Sequence, residues 1–364
     1  MEIRNNRGIP AALAAAVLFG ASAPAAKLLL GPVSPWLLAG LFYFGSGLGL
    51  ALYRIVKGTR SARLTKIEIL WLTAAVITGG MIAPVLLMWG LSRMPASGAS
   101  LLLNTEGVLT ALLAWFAFRE NFDWRIALGM ALIALGAMLL SWPEDAHFGS
   151  MLPSLAIVGA CFFWAMDNNL TRNVSLTDAT FIAMVKGLVA GSANIMIALL
   201  LGISLPPFHL LAIAGIVGFF SYGISLVLFV IALRQLGAAR TAAYFSIAPF
   251  IGALLAIHLF REPITVNFLV AGLLMAAGVW LHLVERHEHE HTHEELEHEH
   301  EHVHDEHHQH THDESIPSTT PHTHRHRHEP LTHTHPHYPD SHHRHVHRRG
   351  LSFWLTKYIS RLRK

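Results

Sequence analysis

Mostly apolar stretches of membrane-spanning length recur over the range 1–284 of this 364-residue chain. A bilayer core of about 30 Å needs roughly 20 such residues for one helical crossing. The stretches are continuous rather than alternating, which favours helices over barrel strands. The sequence therefore predicts an all-α integral membrane protein with ten transmembrane helices. The predicted spans are 10–30, 35–55, 69–91, 97–118, 123–142, 152–171, 179–201, 209–233, 240–260 and 265–283.

The remainder of the chain, residues 285–364, has a different composition, with 23 of the 27 histidines and 14 Asp and Glu residues. So polar a segment buries too little apolar surface to offset the entropy of ordering it. We therefore expect a disordered, His-rich tail at 285–349. The last residues, 350–364, combine apolar residues at helical spacing with four basic residues, which is typical of a basic amphipathic segment on an anionic membrane surface.

The distribution of Lys and Arg predicts the orientation of the spans. With the N-terminus in the cytoplasm, twelve basic residues lie in inner segments ahead of the tail, and three lie on the outer side. The sequence thus predicts a multi-pass protein of the cytoplasmic (inner) membrane. Ten spans return the tail to the cytoplasm, so both termini are expected there.

An internal repeat divides the apolar part of the chain. The stretch ALLAWFAFRE at 111–120 matches ALLAIHLFRE at 253–262 at seven of ten positions. Position 111 thus corresponds to position 253, and we call the spacing between such corresponding positions the repeat offset. Duplicated halves are a common sequence mark of secondary transporters. We expect two five-helix repeats, 1–142 and 143–284, and because five is odd, the two halves enter the membrane from opposite sides and form an inverted pair.

Two five-span halves, each with a small-residue helix, the sequence FRE and a Gly-containing last helix, resemble the EamA-type drug/metabolite transporter (DMT) family. The resemblance covers about residues 10–283. It implies an inverted-repeat transporter fold and the export of amino acids, metabolites or drugs. One stretch departs from the family pattern, because NTEGVLTALLA at 104–114 sets Glu106 opposite Ala248 of the family-like SIAPFIGALLA at 246–256.

Glu106 lies near the centre of the fourth predicted span. A charge at that depth costs at least about 2.5–3.5 kcal/mol, so an ionisable residue there is a candidate functional residue. A carboxylate facing a cavity can exchange a proton during alternating access, or it can pair with a cationic substrate. Alternatively, a permanently protonated Glu106, hydrogen-bonded to Asn104 or Thr110, would only hold helices together.

Other polar residues in the spans give weaker indications. Asp167 and Lys186 are predicted at similar depth on neighbouring helices, where they either neutralise each other in a salt bridge or contact the substrate. Tyr244 either lines a pocket for an amphiphile or packs as an interfacial aromatic. Lys27 can extend to the membrane interface. The predicted transport site comprises Glu106, Asn104, Asp167, Lys186 and Tyr244.

The histidines of the tail alternate with carboxylates and suit borderline divalent cations such as Zn²⁺, Ni²⁺ or Co²⁺. The pattern defines no single ligand set, so several exchangeable sites are expected. A solvated tail without a physiological metal is the alternative, because any His-rich chain binds metal. The predicted ligands are His289, His291, His293, His298, His300, His302, His304, His307, His308, His310 and His312.

Three functions are open at this point. The first, which the sequence favours, is a proton-coupled exporter of a small organic metabolite or drug, with the tail as a metal- or pH-responsive accessory. The second is a divalent-metal transporter whose tail collects ions, and the third is a membrane-anchored metal buffer. A metal path needs several ligands at one depth, and an anchor needs no duplicated halves.

The expected partners are a small-molecule substrate, the lipid bilayer, divalent metal ions on the tail and a second copy of the chain in a homodimer. The loops between the spans are too short for a separate soluble domain. We therefore expect no enzymatic activity, no nucleic-acid partner and no required cofactor.

Overall fold

A computed structural model describes most of the apolar part of the chain and four short segments of the tail. The described residues are 8–59, 64–118, 124–141, 151–172, 174, 178–236, 244–284, 288–292, 296–302, 322–328 and 332–336. Every element described up to Val284 is helical. The chain forms two compact units, Met1–Glu285 and Arg286–Lys364.

The helices of the first unit follow one another in the chain with short connections. They are α1 Gly8–Gly20, α2 Ser22–Leu29, α3 Pro35–Lys57, α4 Lys66–Ala75, α5 Ala83–Leu91, α6 Ala96–Leu102, α7 Thr105–Phe118, α8 Trp124–Ser141, α9 Leu152–Arg172, α10 Ala179–Leu200, α11 Phe208–Gly218, α12 Ser225–Leu236, α13 Ala248–Phe260 and α14 Val266–Val284. Two π-helical segments, Val76–Ile82 and Phe219–Ile224, join α4 to α5 and α11 to α12.

Several of these helical runs have the length and apolarity of a membrane span. Five among the described residues are long and apolar enough to cross a bilayer: Gly8–Leu29, Pro35–Lys57, Lys66–Leu91, Thr180–Leu200 and Phe208–Phe229. Shorter apolar helices are Ala127–Leu140, Ala248–Phe260 and Val266–Leu281. The protein is therefore a helical membrane protein.

Interruptions of the helices have local causes. Pro24 has no N–H to offer the carbonyl of Gly20, and α1 ends there. Pro84 likewise has no N–H for the carbonyl of Gly80, which lies in the first π-helical segment. Between α6 and α7, the side chains of Asn104 and Thr105 donate to backbone carbonyls three residues earlier, at 3.0 and 2.8 Å. Such bonds compete with the helical backbone, and the helix breaks at 103–104.

Glycines allow the long helices to approach closely. A Cβ on Gly47 of α3 would collide with the backbone of α10 at Gly187, and a Cβ on Gly187 would collide with Gly47. Gly136 of α8 and Gly278 of α14 are restricted in the same way by a carbonyl of the opposite helix. Because lipid offers helices no hydrophobic drive to associate, backbone approach at small residues is what holds such pairs together.

The positions of the elements recur along the chain at the offset of the sequence repeat. Three helices have a counterpart whose first residue lies at that offset: α11 corresponds to α4, α12 to α5 and α14 to α8. The two π-helical segments also end at corresponding positions, Ile82 and Ile224. The starts of these three helices and the ends of the two π-helical segments therefore recur even where the two sequences differ.

Short strands occur in the tail, where the sequence predicts disorder. β1 Glu288–Thr292 pairs antiparallel with β4 Thr332–Pro336, and β2 Leu296–His302 pairs antiparallel with β3 His322–His328. In the second pair Glu297 is opposite Arg327, and Glu299 is opposite Arg325. Residues of opposite charge favour such a ladder. Alternation of residue type also fits the two-residue period of a strand, and the expectation of a disordered tail at 285–349 stays a prediction.

Candidate functional site

Glu106 lies at the start of α7, directly after the break at 103–104. The residue is half-buried, and Gly107 beside it is exposed, with nothing within 4 Å of an added Cβ. Its carboxylate oxygen Oε1 accepts a hydrogen bond of 2.8 Å from Nδ2 of Asn168 on α9. The carboxylate is thus held by a neutral amide.

Asn168 and Asn169 join α9 to α7. Nδ2 of Asn168 also lies 3.4 Å from Oγ1 of Thr110, and Nδ2 of Asn169 donates to the carbonyl oxygen of Thr110 at 3.3 Å. Asn168 is exposed, so the amide that holds Glu106 is itself accessible. Sequence reasoning proposed Asn104 or Thr110 as the partner of Glu106 and missed Asn168. The signal was the polar run at 167–169 in an otherwise apolar span.

The predicted salt bridge between Asp167 and Lys186 is present. Nζ of Lys186 lies 2.6 Å from each carboxylate oxygen of Asp167, and Oγ1 of Thr171 donates to Oδ1 of Asp167 at 2.9 Å. Both side chains are largely buried, at 12% and 8% exposure. Removing one partner of a buried pair would leave an uncompensated charge between α9 and α10. Both residues together are therefore needed for a stable contact between these helices.

The first π-helical segment presents its carbonyls to this region. The carbonyl oxygen of Gly79 accepts hydrogen bonds from the hydroxyl of Tyr43 at 2.7 Å and from Nε1 of Trp164 at 3.0 Å. Nδ2 of Asn194 donates to the carbonyls of Gly80 and Met81, at 3.3 and 3.2 Å. π-Helical turns often occur at functional sites. Here one links side chains from α3, α9 and α10.

Aromatic rings form a cluster next to these polar groups. The ring centroid of Phe19 lies 6.5 Å from that of Trp164, 5.8 Å from that of Tyr222 and 5.3 Å from that of Phe245. Tyr222 also lies 5.3 Å from Tyr43. Phe19, Tyr222 and Phe245 are half-buried, which leaves part of each ring uncovered by protein.

The aromatic cluster and the polar groups belong to one region. Trp164 precedes Asn168 by four residues on α9, which places the two on the same helix face. Glu106 is within electrostatic range of Asp167, Lys186 and the hydroxyl of Tyr222. We call this region the Glu106 site. Its members are Glu106, Asp167, Asn168, Lys186, Tyr43, Trp164, Phe19, Tyr222 and Phe245.

Two predicted site residues do not join it. Nδ2 of Asn104 donates to the carbonyl oxygen of Leu101 at 3.0 Å and lies 3.9 Å from Sδ of Met275, so its amide supports the helix break. Tyr244 packs in a separate apolar cluster with Ala11, Ala12 and Ala232 of α1 and α12. The printed bonds of the Asn104 amide nitrogen are to Leu101 and Met275 rather than to Glu106, and a role for Asn104 at the site stays a prediction.

Lys27 contacts backbone carbonyls at and just beyond the end of α5, and its extension to the membrane interface stays a prediction. Its Nζ donates to the carbonyl oxygens of Leu91 and Met94, at 2.6 and 2.8 Å. The last carbonyls of a helix have no partner within that helix, and a lysine near them satisfies that need. Lys27 therefore ties α2 to the end of α5.

Glu262, from the second FRE sequence, also makes a contact between distant parts of the chain. Its carboxylate oxygens accept hydrogen bonds from the backbone N–H groups of Ala96 and Ser97, at 2.7 and 2.9 Å. These are unpaired donors in the first turn of α6. The first FRE sequence, at 118–120, has Arg119 and Glu120 outside the described residues.

A second ion pair joins the end of α3 to the start of α10. Arg54, which is 6% exposed, donates to the carboxylate of Asp178 and to Oγ1 of Thr180, the latter at 2.6 Å. Its guanidinium also lies 5.4 Å from the ring centroid of Phe181. Burial favours the neutral acid, but the hydrogen bonds from Arg54 and Thr180 outweigh it and hold the pKa of Asp178 below its ordinary value.

The described part of the chain contains no cluster of three or more His, Cys, Asp or Glu side chains able to hold a metal ion. His289 and His291 lie in β1, and His298, His300 and His302 lie in β2. The remaining predicted ligands fall outside the described residues, as does the segment 350–364. They are His293, His304, His307, His308, His310 and His312.

Comparison with known proteins identifies a transporter family. The model of the EamA-like transporter family matches the chain twice, at residues 6–142 and 151–284. A solved crystal structure superposes with a TM-score of 0.58 at 18% sequence identity, covering 75% of this chain and 95% of that one. At that identity the structural likeness shows a shared fold alone.

Two curated relatives carry transporter names. A protein of Methanothermobacter thermautotrophicus, described as an uncharacterized transporter, is 32% identical over 289 residues, covering 74% of this chain and 84% of the relative. A protein of Pseudomonas fluorescens is 37% identical over 87 residues, covering 23% of this chain and 74% of the relative. The latter is described as "Probable 4-amino-4-deoxy-L-arabinose-phosphoundecaprenol flippase subunit ArnE".

Proposed function

From the premise that the chain belongs to the EamA-like transporter family, a family of transporters rather than enzymes, we propose that it is a secondary transporter that exports a small organic metabolite or drug. Its transport cycle couples substrate movement to proton exchange at Glu106. The substrate crosses at the Glu106 site. The observation that carries this proposal is a half-buried carboxylate, paired with a neutral amide, at a helix break inside an apolar bundle.

The proposed topology has ten crossings in two inverted five-helix repeats, 1–142 and 143–284. The five long apolar runs support five of the crossings. The remaining crossings use α6 with α7, α8, α9, α13 and α14, several of which are short for a bilayer. Recurrence of helix starts at the offset of the sequence repeat supports the two halves. Both termini lie in the cytoplasm by the distribution of Lys and Arg.

Proton coupling follows from what the Glu106 carboxylate can do in alternating access. A carboxyl group that is exposed to one side of the membrane at a time takes up a proton on one side and releases it on the other. Asp167 is less suited to this role, because both of its oxygens are bound by Lys186. Glu106 has a neutral hydrogen-bond donor, so its charge changes without breaking an ion pair.

The tail is proposed to be an accessory that responds to metal or acid. Imidazole has an unperturbed pKa of about 6.5, so mild acidification charges a segment that holds 23 histidines. Zn²⁺, Ni²⁺ or Co²⁺ competes with protons for the same nitrogens. Metal transport through the spans is not proposed, since the described helices contain no candidate metal cluster.

The test compares cells that express the full-length chain, the chain truncated after residue 286, and no protein. Intracellular organic metabolites and divalent metals are measured together. We expect one or a few organic compounds to fall in concentration with either form, because the helical unit Met1–Glu285 is complete in the truncation. A change confined to Zn, Ni or Co, and lost on truncation, would instead indicate a metal transporter or buffer.

A further inference from the structure

We propose that the Glu106 site binds an organic cation, with the cationic nitrogen at the Glu106 carboxylate and an attached apolar or aromatic group against Phe19, Tyr222 and Phe245. This inference rests on the proposed function, since it names the substrate class of the same site. It draws on three observations: the charge of the site, the unused hydrogen-bonding capacity of Glu106, and the uncovered aromatic rings.

The charge of the site is negative. Glu106 and Asp167 each carry one negative charge when ionised, and Lys186 carries one positive charge, which leaves a net charge of −1. Lys186 does not compensate Glu106 directly, because both Asp167 oxygens lie 2.6 Å from its ammonium. A substrate with one positive charge makes the site neutral when it binds.

The Glu106 carboxylate has hydrogen-bonding capacity left for a ligand. Oε1 accepts its hydrogen bond from Asn168, while among the described residues no donor contacts Oε2. Glu106 is half-buried, and its neighbour Gly107 and its partner Asn168 are both exposed. An ammonium group is attracted to such an anion strongly, because the surrounding helices exclude most of the water that would weaken the interaction.

Uncovered aromatic rings complete the recognition of a cation. Cations are attracted to the negative face of an aromatic ring, and aromatic cages are a recurrent means of binding ammonium groups. Phe19, Tyr222 and Phe245 keep part of each ring uncovered, whereas Trp164 and Tyr43 are buried and support the cluster from behind. The rings also favour an apolar or aromatic substituent on the cation.

Other ligand classes fit the site less well. A divalent metal ion prefers at least six oxygen ligands or several imidazoles, and the site offers one available carboxylate. An anionic substrate would face both Glu106 and Asp167. A zwitterion needs a free cation for its own carboxylate, and the ammonium of Lys186 is already bound by Asp167.

Equilibrium binding to the full-length protein in uncharged lipid nanodiscs tests the proposal. Benzyltrimethylammonium is the cationic probe, benzyl alcohol the neutral one, phenylacetate the anionic one, and tetramethylammonium the cation without a ring. We expect the benzyl cation to bind at least tenfold more tightly than benzyl alcohol or phenylacetate. Glu106→Gln should weaken its binding at least tenfold and Tyr222→Leu severalfold, with tetramethylammonium weaker than the benzyl cation.

Matched controls are Glu68→Gln and Tyr53→Leu. Glu68 belongs to an exposed capping box at the start of α4, which Gln preserves, and Tyr53 is 45% exposed on α3. Neither should change binding. If Glu106→Gln fails to fold, the wild-type protein still answers the question, because benzyltrimethylammonium should protect Glu106 from carbodiimide modification and benzyl alcohol should not. Equal binding of all three benzyl probes, or cation binding that neither depends on Glu106 nor protects it, would overturn the proposal.

The binding and transport experiments distinguish failure of the cation-site proposal from failure of the proposed function. Binding of the benzyl cation at Glu106 without any transport driven by a pH gradient would contradict the proposed function and leave the cation site standing. Proton-driven transport of a neutral or anionic compound, with no cation binding at Glu106, would contradict the cation site and leave the proposed function standing.

Discussion

Two stretches of this chain, 104–107 and 246–249, are related by the offset of the sequence repeat and stand at the start of corresponding helices, α7 and α13. The first reads Asn-Thr-Glu-Gly and the second Ser-Ile-Ala-Pro. Glu106 is half-buried beside the exposed Gly107, whereas Ala248 is completely buried, and its carbonyl leaves no room for a Cβ on Gly20. The same repeat position therefore holds an ionisable residue in one half and a closely packed alanine in the other.

The two π-helical segments also occupy corresponding positions but differ in their surroundings. In the first, the carbonyl of Gly79 is bound by Tyr43 and Trp164, and its Cα faces the carboxylate of Asp167. In the second, the segment itself contributes an aromatic ring, that of Tyr222. A repeated scaffold therefore does not imply a repeated site. Glu106 belongs to the first half, Asp167, Asn168 and Lys186 belong to the second, and the aromatic rings come from both halves.

The largest effect is expected from placing a carboxylate on the packed side. Ala248→Glu forces a larger side chain into a filled space, which costs about 1–3 kcal/mol, and buries an unpaired charge, which costs several kcal/mol more. We expect no monodisperse protein in detergent by size-exclusion chromatography. Gly107→Glu introduces the same residue into open space and should yield folded protein. Equal yields of the two variants would contradict the comparison.

The next largest loss of stability is expected from breaking the Asp167–Lys186 ion pair. Lys186→Met leaves the Asp167 carboxylate buried without its cation, at a cost of about 3–5 kcal/mol. The double variant Asp167→Asn/Lys186→Met removes both charges and should recover most of that loss in thermal unfolding. A double variant as unstable as Lys186→Met would show that the two residues act independently and would argue against a mainly structural pair.

The π-helical segments should differ in their tolerance of a methyl group. A Cβ on Gly79 would overlap the Asp167 side chain, and overpacking of this kind costs about 1–3 kcal/mol. In Gly223→Ala the added Cβ lies 3.3 Å from its nearest neighbours, a tight contact that a small side-chain shift relieves. We expect Gly79→Ala to lower the Tm clearly and Gly223→Ala to lower it little. The opposite order would contradict the packing described around Asp167.

The smallest effect concerns the Arg54–Asp178 pair, which joins α3 to α10. Because the pKa of Asp178 is depressed in the folded protein, its stabilisation is complete above the ordinary value of 3.8 and is lost as the pH falls through the lower folded value. Asp178→Asn keeps a capping residue but removes the titration. Between about pH 5 and about pH 3, the Tm of the wild type should therefore fall slightly more than that of Asp178→Asn. Parallel Tm curves would contradict the assigned pKa shift.

The sequence predicted those features that depend on local pattern. Apolar length predicted the helical membrane protein, and charge at equal depth predicted the pairing of Asp167 with Lys186. The donor to Glu106 was missed because Asn168 reaches it from another helix, and depth along separate spans does not reveal which faces meet. The π-helical segments were also missed. Pro84 follows the first segment closely, but the cluster of donors around the Gly79 carbonyl depends on the packing of α3 and α9, which no local pattern reveals.

In the tail, two sequence signals point in different directions. Composition predicts disorder for 285–349, because low apolar content limits stability and isolated two-stranded ladders are marginal in water. Alternation of residue type fits the four paired strands, and pairing of β2 with β3 places acidic residues opposite basic ones. The disordered tail stays a prediction.

The most direct test of the central claim is transport driven by a pH gradient in liposomes that contain wild type, Glu106→Gln or Glu68→Gln. The substrate is the organic compound identified by the comparison of expressing and non-expressing cells. Gln preserves the size of the side chain and can still bond to Asn168 but cannot exchange a proton. The account predicts that Glu106→Gln is folded yet no longer responds to the gradient, while Glu68→Gln behaves as wild type. Unchanged pH dependence in folded Glu106→Gln would contradict it.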